Sequence, residues 1–487
     1  MSSTATAPAK PSSSSTHHHA ANFINGVWVT TGDGTFGSDS GFAYALEPAR
    51  NRAKNPREHF QALFEFQKRY WDEVSHGKLV LEFRIFPTGD SLFYNLDRSL
   101  SWYSPAQAAE GEKQASFDST RTTRFLEFVS DAARKAAKDP SGPFSSPRPA
   151  TSTRHRAHLL LHAGANAFAD GGKVGYSNAN TKSDINDFYV EDSIFQFLRL
   201  RSRVVDTSHL RDSFGVVLRS PAVDTLKNLL TLSETASQDG LNWGLHGILA
   251  NQIGRYVGLP DTYDWVRGRN MMGRFCGMDF GGYLLNGAGF LPVRPSAWLR
   301  LYMGWATPVY ATPAGARRFR LPPVGPSSDS VLVVPLDDGE YLLVENRQKA
   351  DTDGKVRLQV GELGKAPVTV EVAADSVEYL FLDSLDRKPN PRRIKGYLLG
   401  APVDAGIPAS GLVTWKVDEW LLRSALAYGG PNIWRGETQR DRYRGIRLVE
   451  ADGVPTIGVS FTNALGQTGF DYGSGADLLP HARKKAS

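Results

Sequence analysis

Only one cysteine, Cys276, occurs in 487 residues. No intrachain disulfide can form, so packing and polar contacts must hold the chain together. That suits the cytosol, and equally a secreted protein stabilised by size. No apolar run reaches the roughly 18 residues of a spanning helix, so no transmembrane segment is expected. The amino terminus lacks the apolar stretch of a signal peptide. Residues 1–25 read instead as a disordered Ser/Ala/Pro-rich tail, in which His17, His18 and His19 are a flexible run rather than a metal site.

An excess of one charge is also missing. Lys and Arg total 56 against 51 Asp and Glu, and the basic residues are scattered. The one tight basic cluster, "HARKK" near the carboxyl terminus, reads as a solvated tail. Despite a pI near 9.0, nucleic acid is therefore not expected as a partner. There is no G-x-S-x-G elbow, CxxC pair, P-loop, intact H-E-x-x-H or solenoid repeat.

What is present is material for a large core: 41% hydrophobic and 11% aromatic residues, in a chain longer than one ordinary domain. In "NPREHFQALFEFQKRYWDEVSHGKLVLEFRIFP", Phe60, Leu63, Phe64, Gln67 and Trp71 recur at helical spacing and Gly77 ends the run. Leu79, Leu81, Phe83 and Ile85 then alternate, which predicts a half-buried strand before Pro87. "STRTTRFLEFVSDAARKAAK" predicts a second helix, and "AHLLLHAGANAF" and "SFGVVLRS" predict strands. Residues 165–190 read as a long loop. The expected fold class is α+β: a helix-and-sheet unit over 26–314 and a β-rich unit over 315–487 packed on it. "GEYLLVENRQ" and "ASGLVTWKVDE" in the second unit are too apolar to be left exposed.

The informative stretch is "LNWGLHGILANQIGRYVGLPD". It predicts a helix over 242–257 with Leu245, Leu249, Gln252 and Tyr256 on one stripe. Asn251 and Arg255 share the adjacent face. Gly258 suits a left-handed end, Pro260 prevents continuation, and Asp261 turns back beside the helix. The frame is that of H-E-x-x-H-x-x-G-x-x-D, with Asn251, Gln252 and Arg255 where two zinc-binding histidines and a general-base glutamate would stand.

Around that frame the chain resembles the immune inhibitor A-like family of secreted bacterial zinc metallopeptidases. "NQIGRYVGLPDTYD" keeps Gly258, Leu259, Pro260 and Asp261. "HLLLHAGA" is similar to the family's preceding strand, with His162 in the usual place. "CGMDFGG" resembles its methionine turn, with Met278 as the matching residue. "PSAWLRLYMGWATPV", "GEYLLVENRQ", "ASGLVTWKVDE" and "RGIRLVEADG" follow in the family's order, so the likeness spans roughly residues 55–480. It implies a metzincin-like catalytic domain with a long central helix, a β-rich carboxyl-terminal domain, and a secreted or periplasmic location.

The departures fall where the chemistry would be. Asn251 offers a weak neutral carbonyl, the Gln252 amide has negligible basicity, and Arg255 has no lone pair to give and repels a dication. Zinc serves active family members, yet here Asp261 is the sole remaining ligand type. No functional catalytic residue, metal or other cofactor is expected. The leading reading is a catalytically inactive pseudopeptidase that binds a protein or peptide ligand in the former active-site cleft. An active peptidase with unconventional ligands and a structural or surface-associated protein are the alternatives.

Other candidates read more plainly. Cys276 could be a nucleophile with His246 or His162 as base, but a buried structural cysteine is the simpler assignment. His162 reads as a hydrogen-bonded core histidine, and His246 is poorly placed as a ligand. Asp351 and Asp353 in "ADTDGK" resemble half of a calcium loop without its terminal glutamate, so a hydrophilic turn is expected. Lys416 replaces the family's usual histidine. "NIWRGETQRDRYRG" interleaves arginine with aromatics and reads as a solvated loop.

Overall fold

The computed structural model describes residues 21–24, 27–30, 56–88, 93–105, 114–145, 157–165, 185, 189–190, 229–235, 243–264, 269–282, 286–311, 318–380, 396–426, 432, 444–462, 466 and 468–479. Strands β1 (Ala21–Ile24) and β2 (Val27–Thr30) pair antiparallel. Regular structure thus reaches into the stretch expected to be a disordered tail. The Asn-Gly dipeptide between the two runs is a strong hairpin signal, and it outweighs the tail's composition.

Helix α1 (Pro56–Ser75) opens on a proline, which suits the first helical turn. It buries Phe60, Leu63, Phe64, Gln67 and Trp71, and Gly77 at φ +74° follows its end. The strand expected at 79–85 is absent. Leu79, Leu81, Phe83 and Ile85 do pack inward, with Phe83 stacked on Phe64 at 4.3 Å, but their backbone joins no ladder among the described residues. Alternation requires only an extended chain over a core, whereas a strand requires a partner. Here the Arg57 guanidinium satisfies part of that backbone, donating to the carbonyls of Ile85 and Pro87.

Helices α2 (Leu100–Tyr103) and α3 (Gln114–Ala137) follow. A mixed three-stranded sheet comes next: β3 (His158–Ala165) lies parallel to β5 (Leu229–Thr235), and β4 (Tyr189–Val190) is antiparallel to it. Helix α4 (His246–Tyr256) crosses beside them, and α5 (Ala297–Tyr302) precedes the β-rich part. The strand expected at 213–220, and nearly all of the loop expected at 165–190, lie outside the described residues.

From Thr307 the strands are β6 (Thr307–Tyr310), β7 (Ser330–Asp337), β8 (Glu340–Arg347), β9 (Lys355–Gly361), β10 (Val368–Ala373), β11 (Tyr397–Gly400) and β12 (Gly411–Asp418). Helix α6 (Glu419–Leu426) and strands β13 (Ile446–Leu448), β14 (Ser460–Thr462) and β15 (Thr468–Phe470) complete the chain. Five of the strands form one sheet in the order β13-β12-β8-β7-β6, and β10-β9-β11 form another. The fold is α+β. Edge strand β6 carries Pro308, which has no backbone donor to offer a further strand.

One apolar cluster runs from Phe60 in α1 to Leu478, through Leu249, Met278, Leu343 and Trp415. Buried ion pairs cross the same boundary. Arg300 donates to both carboxylate oxygens of Asp329, at 2.7 and 2.9 Å, and to Glu345 at 2.6 Å. The Trp415 indole donates to the other Glu345 oxygen at 2.7 Å. Arg294 and Arg347 both pair with Asp404, and Arg294 also reaches Glu73 of α1 at 3.4 Å. All three guanidiniums are fully buried.

Burial alone would raise the Asp404 carboxyl, but Arg294 and Arg347 outweigh it and hold the group well below the ordinary carboxylate range. A depressed folded pKa contributes stability that is fully present above about pH 4 and is lost as pH falls through the lowered value. Buried pairs often add little net stability, but removing one partner strands the other charges. Asp404→Asn should therefore lower unfolding stability by about 3 to 5 kcal/mol at pH 7. Guanidinium denaturation followed by tryptophan fluorescence measures it, and a loss below about 1 kcal/mol, the scale of an exposed pair, would contradict the argument.

Candidate functional site

Helix α4 is shorter than its sequence predicts, beginning at His246 rather than 242. Residues 286–290 explain the late start. The Gly244 amide donates to the Ala288 carbonyl at 2.7 Å, and a Cβ on Gly244 would lie 2.6 Å from the Phe290 ring. The far end follows the expectation. Gly258 adopts φ +100°, its amide reaches the Arg255 carbonyl at 3.1 Å, and the Leu259 amide reaches that of Gly254 at 2.9 Å. These two bonds are the Schellman pattern, which turns the chain sharply enough to bring Asp261 beside the helix.

The three positions in the H-E-x-x-H frame each have a protein partner. The buried Asn251 amide donates to the Gly277 carbonyl at 3.3 Å. Its hydrogen bond goes to the turn that carries Met278, not to the Asp261 carboxylate. Buried Gln252 donates from Nε2 to the Thr231 carbonyl of β5 at 3.0 Å, tying helix to sheet. Arg255 Nη1 lies 3.5 Å from Asp261 Oδ2, with both side chains partly exposed. At this distance and exposure the contact is weaker than an ideal guanidinium–carboxylate pair. Burial pushes the Asp261 carboxyl up, opposed by Arg255 and by the amides of Tyr263 and Thr262.

Met278 lies directly beneath this helix and is buried. A Cβ on Gly254 would sit 2.5 Å from its sulfur and 3.2 Å from the Trp71 ring, so any larger residue there would make the Met278 side chain shift. Thr262 closes the other side, donating its amide and its hydroxyl to the Met278 carbonyl at 3.0 and 2.8 Å. Asp279 is a residue that motif reading passes over, although it directly follows Met278. Its buried carboxylate accepts the amides of Met271, Met272 and Phe280 at 2.8, 2.6 and 2.8 Å. Burial nonetheless raises its pKa to about 7.

The alternative reactive groups are enclosed. Cys276 is fully buried, and burial raises its thiol to about 11, so little thiolate forms at neutral pH. The His162 ring lies 3.1 Å from the Ala163 carbonyl and edge-on to Phe128. His246 packs between Phe66 and Phe290. Asp351 and Asp353 both pair with Arg357, and Lys416 reaches Glu340 at 2.8 Å. Of the 432–445 segment only Asn432, Arg444 and Gly445 are described. Arg444 is buried and donates to the Met271 and Ile457 carbonyls at 3.0 and 2.9 Å, so this arginine is not a solvated loop residue.

Placing a carboxylate at position 252 should damage the fold. Gln252→Glu exchanges a donor to the Thr231 carbonyl for a buried anion facing it. The expected loss is at least about 2 kcal/mol at pH 8. A raised carboxyl pKa gives stability that is lost as pH rises, so the deficit should shrink toward pH 5. Urea unfolding at both values measures it, and a pH-independent deficit would refute the reading.

His246 has the opposite sign. Burial, with His59 nearby, lowers its pKa to about 3 against a favourable Leu398 carbonyl. The folded state therefore takes up this proton less readily than the unfolded chain, and stability falls as pH drops below about 6.5. Asn at this position does not titrate, so the stability advantage of wild type over His246→Asn should narrow by about 2 kcal/mol between pH 7 and 5. A constant difference across that range would exclude the assignment. No protein-family model matches the chain, and no curated protein is similar to it.

Proposed function

We propose that the chain is a catalytically inactive relative of the immune inhibitor A-like zinc metallopeptidases. It keeps a metzincin-like scaffold, outside the cytoplasm, to bind a protein or peptide ligand rather than to cleave one. The observation that carries this reading is the commitment of all three frame positions to structural contacts. Asn251 is bonded to Gly277, Gln252 to Thr231, and Arg255 is paired with Asp261.

The residues present do not fit zinc. A catalytic site needs three donor side chains around an open position, and here a guanidinium occupies the third position and lies against the one carboxylate. Gln252 cannot take a proton from a water, so peptide hydrolysis by the family's chemistry has no base. The buried Cys276 offers no replacement nucleophile.

Metal analysis by mass spectrometry tests the proposal directly. The purified protein should carry far less than one zinc per chain and should not digest casein, with or without a chelator. Arg255→His alone should acquire neither zinc nor activity, because Asn251 and Gln252 are unchanged. Stoichiometric zinc in the wild-type protein, or chelator-sensitive casein digestion, would overturn the proposal in favour of an active peptidase.

A further inference from the structure

A second surface lies on the β-rich part, away from α4, where the β7–β8 turn meets the first turn of α6. Trp420 opens that helix and is 71% exposed, and Leu336 beside the turn is 50% exposed. The indole is nevertheless held. Gly339 stands at φ +81°, and a Cβ there would lie 3.0 Å from the Trp420 ring, so the ring rests against bare backbone. The Glu419 amide donates to the Gly339 carbonyl at 2.9 Å, and Asp418 caps the helix by accepting the Trp420 and Leu421 amides at 3.0 Å each. A large apolar ring fixed in water before any partner arrives loses little freedom on binding, which is the property of an interface anchor.

The charges around the ring indicate what it would meet. Asp337, Asp338, Asp418 and Glu419 gather at this corner, brought together by the Asp337–Glu340 and Asp418–Glu340 register pairs and by the turn. Glu340 is matched by Lys416, and Tyr341 donates its hydroxyl to Glu419 at 2.6 Å. Among the described residues, no cation pairs with the other four carboxylates. The chain as a whole carries a net charge of +5, so this corner opposes the sign of the molecule. A cationic group is attracted to this corner. An exposed indole with carboxylates beside it suits a guanidinium or ammonium group, which can lie on the ring face while pairing at its edge.

We propose that the outward face of α6 around Trp420 docks an arginine- or lysine-bearing peptide segment of another protein. This site is separate from the former catalytic helix and does not depend on the reading of that helix. The test uses the full chain and a fluorescein-labelled ten-residue arginine–serine peptide, with binding followed by anisotropy at low and physiological salt. Wild type should bind with an affinity that falls as salt rises. Trp420→Ala should weaken binding about tenfold or more, and Asp337→Asn with Asp338→Asn should flatten the salt dependence. Thermal unfolding should be unchanged in both variants, because the substituted side chains are exposed. Equal binding of the peptide by wild type and Trp420→Ala, or equal binding of a glutamate–serine peptide, would overturn the proposal. So would saturable binding of a neutral oligosaccharide at Trp420 with no binding of the cationic peptide.

Discussion

Three buried guanidiniums hold the helical part and the β-rich part in one arrangement. Arg294 and Arg300 belong to the segment that leaves the methionine turn, and Arg347 ends β8. Their carboxylates come from α1, from the approach to β7, from β8 itself and from the loop after β11. An ion pair taken out of water tolerates little misplacement, since the desolvation penalty is repaid only when the geometry is good. The apolar core supplies most of the driving force for collapse, but it would accept several relative placements of two sheets and a helix layer. The charge network accepts one. The turn beneath α4 is tied to the network, since the Gly277 amide donates to the Arg294 carbonyl at 3.2 Å.

That placement gives the polar residues of α4 protein partners. Asn251, Gln252 and Arg255 each face a group that a neighbouring element brings close: a turn carbonyl, a strand carbonyl and a carboxylate. The Gln252 amide thereby satisfies its donor, while its buried side-chain oxygen has no hydrogen-bond partner among the described residues. The helix presents these groups to the protein around it, and Met278 packs beneath Gly254.

Much of this was legible in the sequence wherever local rules govern. The apolar spacing in α1 and α3, the glycine stop at Gly258 and the return of Asp261 toward Arg255 all follow from helix geometry. The burial of Cys276 was expected because no cation in its motif activates it. Residues 79–85 failed because alternation reports which side is apolar, not whether a neighbouring strand exists. The start of α4 failed because its first turn is taken by residues 286–290, distant in sequence. The partners of Asn251 and Gln252 are backbone carbonyls, which carry no sequence signature. Arg294, Arg347 and Asp404 look like ordinary surface charges until the fold brings them together.

The contact between Gly254 and Met278 bears on how freely this helix could be reoriented. At about 100° per residue, positions 251 and 255 share one face, while 252 and 254 face two others. Each position meets a different neighbour: the turn, the strand, the methionine and Asp261. The helix cannot roll to improve one contact without spoiling the other three. Substituting any one of these positions removes one contact while the rest still fix the helix, so several would have to change together before it could settle in another orientation.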